Sequence, residues 1–495
     1  MSDIQPNDKQ GQYILDAMES ISKNGDAYCS DETLYRCCRR MNKSLTLERY
    51  RADKAALLRA NDLHIEGLRI YTQRTWAYEE SAAGFLADIL TDGEAEGAEL
   101  PASLSCRGIT LSAQQREAVR MALSNRLSIV LGGAGSGKTT LIRAIAEHFK
   151  GSRVLAAPTG KAARNLTERT GLGARTVHSA LGKFPDSDFL SKIRWEIVGL
   201  VIVDEASMLT LEMLAGILCK VPHDCRVVLL GDPNQLLSVG AGNVIPDLLA
   251  LGIPSVRLEQ QYRQSEEASA LRHNVVEFPR LAGADELAWD ESFRFIEADD
   301  RSIADIICTE AARRCRAGED IQVLSPVNTK TDFSVNALNR RLRAMVNPVD
   351  SDAPCWNGFY NGDRVVVTKN FSLVFNGDVG VLHFDERLVD FQLLNGNGGG
   401  IWQRSDAPAD FSLAYALTVH KVQGSQYDTI FLPVSLSTST MLLRNLLYTA
   451  ISRAKKEVIL VGSREAVSLA MKRTPYPRKS MLVAKTNLLR YRRSA

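Results

Sequence analysis

The stretch Leu127–Thr140 constrains this chain more tightly than any other. A short apolar run gives way to the glycine-rich turn GGAGSGKTT, and Lys138 and Thr139 then open an amphipathic stretch that continues through Phe149. From Gly132 the spacing is GxxxxGKT. Strand, glycine turn and helix in that order make a phosphate-binding loop, so the surrounding chain is committed to an α/β unit. Backbone N–H groups of Gly132, Gly133, Ala134, Gly135, Ser136 and Gly137 wrap phosphate oxygens, and the helix end carrying Lys138, Thr139 and Thr140 adds its dipole. Lys138 is expected to reach the β- and γ-phosphates, with the Thr139 hydroxyl on Mg²⁺.

A chain of 495 residues exceeds what one core sustains, roughly 250 to 300 residues, so several domains are expected. The 45% hydrophobic and 24% charged composition is that of a globular protein, and no apolar run is long enough to cross a bilayer. Met1–Gln10 has no signal-peptide pattern, which points to the cytoplasm. Nine cysteines without a CxxC pair read as reduced, mostly buried thiols, and no metal beyond Mg²⁺ is indicated. The net charge of +2 favours no class of partner, so any basic surface must be local.

Along the chain, residues 1–100 form the first expected domain. Asp31–Leu90 carries helical periodicity with an interruption near Gly67–Tyr71, which suits either a small winged-helix module or a helical docking domain that touches no nucleic acid. Thr91–Pro101 reads as a linker. Ser112 starts a helix over Leu111–Ala122, on which Gln115 is either solvated or turned to an adenine edge. Arg153–Ala157 is a strand ending in Pro158, Thr159 and Lys161, at the carboxyl edge of a parallel sheet, where a hydroxyl-bearing cationic turn suits phosphodiester contacts. His178, in the next loop, is either a packed histidine or a contact. The buried strand Leu200–Val203 runs into Asp204 and Glu205, which divide into a Mg²⁺ carboxylate and a base for the attacking water. After the strand Arg226–Leu230, Gln235 is a neutral amide able to sense a γ-phosphate. Arg263 is a candidate arginine finger, and Tyr262 a ring for the base.

Ile321–Leu324, Tyr415–Thr418, Thr429–Pro433 and Val458–Val461 alternate with helical segments at Val335–Val346 and Leu442–Ser452, as a second α/β lobe would. Gly362–Leu394 instead reads as closely spaced strands with an Asn-Gly turn at Asn376, and NGNGGG at Asn395–Gly400 as a loop tip. Beyond Glu465 the chain is basic without acidic residues, from Lys472 to Arg493. That segment is either a solvated tail or a DNA or partner contact.

Taken together, GGAGSGKTT, APTGKAARNL, VDEASM, GDPNQL, LEQQYRQ, ALTVHKVQGSQYD and LYTAISRAK resemble superfamily 1 helicases, and among these the RecD-like branch that moves 5′ to 3′ on single-stranded DNA. The resemblance runs from about Leu111 to the C-terminus. It implies two RecA-like lobes (101–265, and 266–345 with 413–495), a short hairpin insertion near 181–198 and a small β-barrel inserted at 346–412. It implies ATP and Mg²⁺ as cofactors, with Gln115 and Tyr262 at the adenine, Lys138, Thr139, Asp204 and Glu205 at phosphate and Mg²⁺, and Gln235, Arg263 and Arg453 at the γ-phosphate. Pro158, Thr159, Lys161, His178, Thr418 and His420 would contact DNA, and Gln423 and Gly424 would couple strand to nucleotide. The hairpin is short for the family, so Phe184, Phe189 and Trp195 either form its tip or pin it down. The implied activity is an ATP-driven 5′ to 3′ helicase working on single strands and duplex junctions, with no membrane partner. The alternatives are an RNA helicase, or an ATP-gated binding subunit docked to a protein partner through its N-terminal domain.

Overall fold

The run Leu127–Gly132 is buried along its whole length because both faces of its sheet are covered, which is why it is uniformly apolar rather than alternating. In the computed structural model, which describes residues 10–91, 104–133, 135–182, 193–259, 269–350, 352–371, 374–394 and 398–494, this strand is second in a six-stranded sheet. The order is Ser255–Leu258, Leu127–Gly132, Arg226–Gly231, Val198–Val203, Ser152–Ala157, Ala174–Thr176, and all neighbours are parallel. One face packs on Val119, Ile142, Ile145 and Leu166, the other on Leu214, Ile217 and Leu248.

A second parallel sheet of five strands has the order Phe293–Glu297, Ala454–Gly462, Tyr427–Val434, Ile321–Ser325, Ala416–Thr418. Between its fourth and fifth strands in space, the chain leaves to form an antiparallel sheet from Asp363–Val367, Val379–Phe384, Leu388–Leu393, Gly399–Gln403 and Phe411–Leu413. Asn376–Gly377 turns within the connection between the first two of these strands, with Gly377 at φ +92°. Gly399 and Gly400 belong to a strand and not to a loop tip, a correction with a steric cause. A Cβ on Gly399 would lie 2.0 Å from the Phe391 carbonyl oxygen, so close pairing demands glycine there. Asn395–Asn397, and nearly all of the linker Thr91–Pro101, lie outside the described residues.

Near the N-terminus, helices Gln12–Lys23, Asp31–Met41 and Leu47–Arg59 precede the hairpin Leu63–Glu66/Arg69–Thr72, and helix Gln73–Thr91 follows. That last helix packs on Leu211–Lys220 of the first lobe, where Ala82, Ala83 and Leu86 share a core with Leu214, Ile217 and Leu218, and Tyr78 donates to Glu212 at 3.2 Å.

Part of the basic C-terminal segment packs against the rest of the chain, while Lys472, Lys479, Arg490 and Arg492 stay exposed. Arg478 donates to Ser238 Oγ (2.8 Å) and to the Gly242 carbonyl (2.9 Å), and helix Leu482–Ser494 lies along Gln73–Thr91. Lys485, 7% exposed, meets Glu80 at 2.6 Å, Glu66 at 3.3 Å and the fully buried Glu79 at 3.5 Å. Glu79 also accepts from the Met481 N–H at 2.8 Å. The fully buried Glu79, with the half-exposed Glu66 and Glu80 beside it, accounts for a cation at Lys485, and removing that cation would strand the Glu79 charge in the interior. Lys485→Ala should therefore lower the local unfolding free energy of Leu482–Ser494 by about 3 kcal/mol, read by amide hydrogen exchange. Unchanged protection would show that the helix is held by its apolar face alone.

Candidate functional site

At the carboxyl edge of the first sheet the glycine turn has the geometry its sequence requires. Gly135 and Gly137 sit at φ +84° and +83°, in the left-handed region that glycine reaches without steric cost. A Cβ on Gly132 would fall 2.4 Å from Ser136 Oγ, and that hydroxyl donates to the Gly133 carbonyl at 3.0 Å. Helix Lys138–His148 starts from Gly137 without a side-chain cap, which leaves its first N–H groups to an anion. Thr139 and Thr140 are half-buried in its first turn. The Lys138 ammonium folds back onto the carbonyls of Gly132 (2.5 Å) and Gly133 (2.9 Å), contacts that a phosphate would outbid.

Asp204 and Glu205 follow the strand Val198–Val203 directly. Glu205 is a non-glycine residue at φ +52°, a strained conformation of the kind that a functional site holds in place. Its N–H donates to Asp204 Oδ1 at 2.9 Å. Burial, and then the adjacent Glu205 carboxylate, push the Asp204 carboxyl up to about 6 against the pull of Lys138. A carboxylate destabilised by burial and by a like charge fits a divalent cation, which would relieve both; Thr139 is the hydroxyl-bearing partner on the facing helix.

Gln235 and Arg453 come from opposite lobes, and one seam joins their loops. The Asp232 carboxylate, 1% exposed, accepts from Gln235 Nε2 (3.3 Å), the Asn234 N–H (3.1 Å) and the Tyr448 hydroxyl of the second lobe (2.8 Å). Four residues after Asp232, the Leu236 N–H donates to Thr449 Oγ1 at 2.8 Å, and its carbonyl accepts from Gln423 Nε2 at 3.1 Å. Arg453, 3% exposed, is turned back onto the Thr449 carbonyl (3.2 Å) and Ser452 Oγ (3.0 Å), and among the described residues it has no carboxylate partner. A buried guanidinium without a counter-ion suits a phosphate arriving in the cleft. The Gly424 carbonyl accepts from Asn165 Nδ2 at 2.6 Å, and Arg169 donates to Gln426 at 3.2 Å, so helix Gly160–Thr170 of the first lobe is tied to the same loop of the second.

Pro158, Thr159, Lys161, His178 and His420 line one cleft of about 510 Å³, together with Thr368, Asn370, Asn376 and Gly377 from the connection between Asp363–Val367 and Val379–Phe384. The Thr159 hydroxyl oxygen caps its helix through the Ala162 N–H at 3.2 Å. Thr418 does not line this cleft; it ends a strand beside Ser325. The path continues past Lys421, shared with a cavity of about 1010 Å³ lined by Asn328, Thr329, Lys330 and Arg340 of the second lobe. Lys330 is left-handed at φ +82°. This polar turn after Ile321–Ser325 mirrors the position of Pro158–Lys161 in the first lobe, and that symmetry is the signal that would have found it.

Gln115 is 3% exposed, and its Oε1 accepts from the Ser112 N–H at 3.0 Å while its own N–H donates to Ser112 Oγ at 3.2 Å. This capping box was readable from the Ser-x-x-Gln spacing and fixes the amide before any base arrives. Trp195 packs on the first-lobe core. Ala134, Phe184, Phe189, Tyr262 and Arg263 lie outside the described residues. Asp232, Tyr448, Thr449 and Asn165 stand within recognisable motifs, yet their roles depend on contacts between distant parts of the chain.

Comparison with known proteins places residues 110–292 in a family described as AAA domain and residues 413–461 in one described as UvrD-like helicase C-terminal domain. The ATP-dependent RecD2 DNA helicase of Deinococcus radiodurans is 33% identical over 433 residues, which span 84% of this chain and 58% of that protein. The RecBCD enzyme subunit RecD of Mycolicibacterium smegmatis is 30% identical over 464 residues, covering 83% of this chain and 81% of the relative. A crystal structure of Pif1 helicase from Candida albicans aligns with 72% of this chain and 96% of its own at 19% identity and a TM-score of 0.45.

Two outcomes follow from the site. With Asp204 taking its proton near pH 6, the Mg²⁺ affinity supporting nucleotide binding should fall about fourfold between about pH 7.5 and 5.5. A flat Mg²⁺ titration across that range would remove Asp204 from the cation. Tyr448→Phe deletes one hydroxyl from the seam and leaves Asp232 short of a donor, so turnover should drop about tenfold with KM for nucleotide little changed. A change confined to KM would place Tyr448 in binding alone.

Proposed function

We propose, from the premise that this chain belongs to the RecD family of helicases, that it is an ATP-dependent DNA helicase that steps 5′ to 3′ along a single strand. The observation that carries the reading is the seam at Asp232–Leu236. The loop bearing the γ-phosphate amide is bonded to the second lobe on the side that leads to the strand cleft. A change at the nucleotide therefore has a direct mechanical route to the grip on the strand.

In this reading Lys138 and the turn Gly132–Gly137 hold the phosphates, and Thr139 with Asp204 holds Mg²⁺. The cation would supply neutralisation of charge on the β- and γ-oxygens. Glu205 orients and deprotonates the attacking water. Gln235 reports the γ-phosphate, while Arg453, and Arg263 from the other side, stabilise charge on it as the bond breaks. Tyr262 would stack on the base beside Gln115. Closure of the lobes moves the polar turns at Thr159–Lys161 and His420 relative to each other, and each cycle advances the strand. The polar and cationic lining of the cleft, with no base-reading element among the described residues, favours sequence-independent binding.

A second reading has a specific support: the mycobacterial relative is a subunit of a larger enzyme, so this chain would hydrolyse ATP and hold DNA but unwind only with a partner. Purified chain on matched tailed duplexes separates the two. The helicase reading predicts displacement from a 5′-tailed substrate and little from a 3′-tailed one. Robust ATPase without displacement favours the subunit, and opening of the 3′-tailed substrate alone would overturn the direction. Lys138→Ala should cut turnover at least about 100-fold while single-strand binding persists, since the cleft and the phosphate loop are separate surfaces. Equal loss of both would contradict that separation.

A further inference from the structure

The N-terminal unit has a surface that the ATP-driven cycle does not use. Its order is helix Gln12–Lys23, an extended residue Cys29 bridged antiparallel to Ile70, helices Asp31–Met41 and Leu47–Arg59 joined through a short turn, and the hairpin Leu63–Glu66/Arg69–Thr72. Helix, short strand, two helices across a turn and a two-stranded wing is the order of a winged helix-turn-helix. The unit has its own core of Ile14, Met18, Leu34, Tyr50, Leu57, Leu63 and Ile70, so it presents a fixed shape. The buried carboxylate of Asp53 pins the second helix of the pair by accepting from Tyr13 at 3.0 Å and Gln10 at 3.1 Å.

Helix Leu47–Arg59 buries only Tyr50, Asp53 and Leu57. Its other face leaves Leu47, Glu48, Arg49, Arg51, Ala52 and Arg59 exposed, with Glu48 its one acidic member. At the turn leading into it stand Arg39, Arg40 and Lys43, also exposed. Arg36 and Arg49 are matched to Glu32 and Asp53, but among the described residues Arg39, Arg40, Lys43 and Arg51 enter no ion pair. Exposed cations gathered at the last turn of Asp31–Met41, the connecting turn and the first turns of Leu47–Arg59, in excess over the neighbouring Asp31 and Glu48, complement a line of phosphates on a rigid scaffold. Among the described residues the exposed side chains of this face include no aromatic ring on which an unpaired base could stack, which favours duplex over single strand. The unit is also fixed where a duplex would matter. The helix Gln73–Thr91 that follows its hairpin docks on Leu211–Lys220, and Thr210 and Met213 at the start of that helix line the strand cleft.

We propose that this N-terminal module is a second DNA site, which binds duplex DNA through phosphate contacts from Arg39, Arg40, Lys43 and Arg51 and holds it beside the single-strand cleft. The inference rests on reading that cleft as a DNA path, and its test separates the two. The full chain and the variant Arg40→Ala/Lys43→Ala/Arg51→Ala are compared in two assays: blunt-duplex affinity as a function of salt without nucleotide, and ATPase stimulated by a single-stranded oligonucleotide. These side chains are exposed, so folding should be preserved. The variant should lose at least about tenfold in duplex affinity, and its log-log salt slope should flatten by about 3, one phosphate contact per residue, with strand-stimulated ATPase unchanged. A control set, Lys150→Ala/Lys220→Ala/Lys472→Ala, removes the same charge from exposed positions elsewhere and should leave duplex binding intact. Unaltered duplex affinity in the first variant would overturn the proposal and leave the face to a protein partner. An equal loss in the control would overturn it too, by showing bulk charge alone. If the wild-type chain binds duplex through these residues yet shows no strand-stimulated ATPase, the reading of the cleft fails and the module's site stands.

Discussion

The Asp232 carboxylate is the point on which the two lobes agree. It is buried, so its charge must be met by donors, and the donors come from both sides: Gln235 and the Asn234 N–H from its own loop, the Tyr448 hydroxyl from the other lobe. Withdrawing Tyr448 leaves a buried acceptor short of a partner, at a cost of about 1 to 3 kcal/mol. That is about the size of a useful coupling energy between two sites. The seam is thus strong enough to transmit a state and weak enough to be remade in each cycle.

Around this seam the chain uses strain and burial selectively. The lobes are ordinary parallel sheets with dry apolar strands, and departures from local preference gather at the carboxyl edges: Glu205 and Lys330 in left-handed conformations, Asp204 pushed up to about 6, Arg453 buried without a carboxylate among the described residues. Each costs stability, and a phosphate, cation or strand in place would offset that cost. The outer parts serve as braces. Arg164 pairs with the buried Asp378 at 3.0 Å, joining the first lobe to the antiparallel sheet, and the C-terminal helix ties the end of the second lobe to the N-terminal unit.

Much of the two-lobe α/β architecture was legible because its signals are local. Apolar runs, glycine turns and helix starts lie within a few residues of one another, and the phosphate loop is a single continuous string. What escaped depends on distance in sequence. Tyr448 meets Asp232 across 216 positions, and nothing in either neighbourhood announces it. The basic C-terminus read as solvated or intermolecular because its counter-charges, Glu66, Glu79, Glu80 and Asp88, lie some four hundred residues earlier. Gly399 and Gly400 read as loop because glycine marks both turns and close strand pairing, and only the partner Phe391 distinguishes them. Gln115 differs in kind: the capping box was present in the sequence, and the amide's position at a helix start explains its burial without a ligand.

The central claim is that Asp232 passes the state of the nucleotide from one lobe to the other. Two exposed native thiols, Cys219 on the first lobe and Cys355 in the insertion of the second, allow spin or fluorescent labels to report the separation once Cys37 and Cys315 are replaced by serine. With a non-hydrolysable ATP analogue and Mg²⁺ the distance distribution should shift to a single closed form. In Asp232→Ala the analogue should still bind while the shift is lost. The same closure in Asp232→Ala as in the native chain would contradict the account.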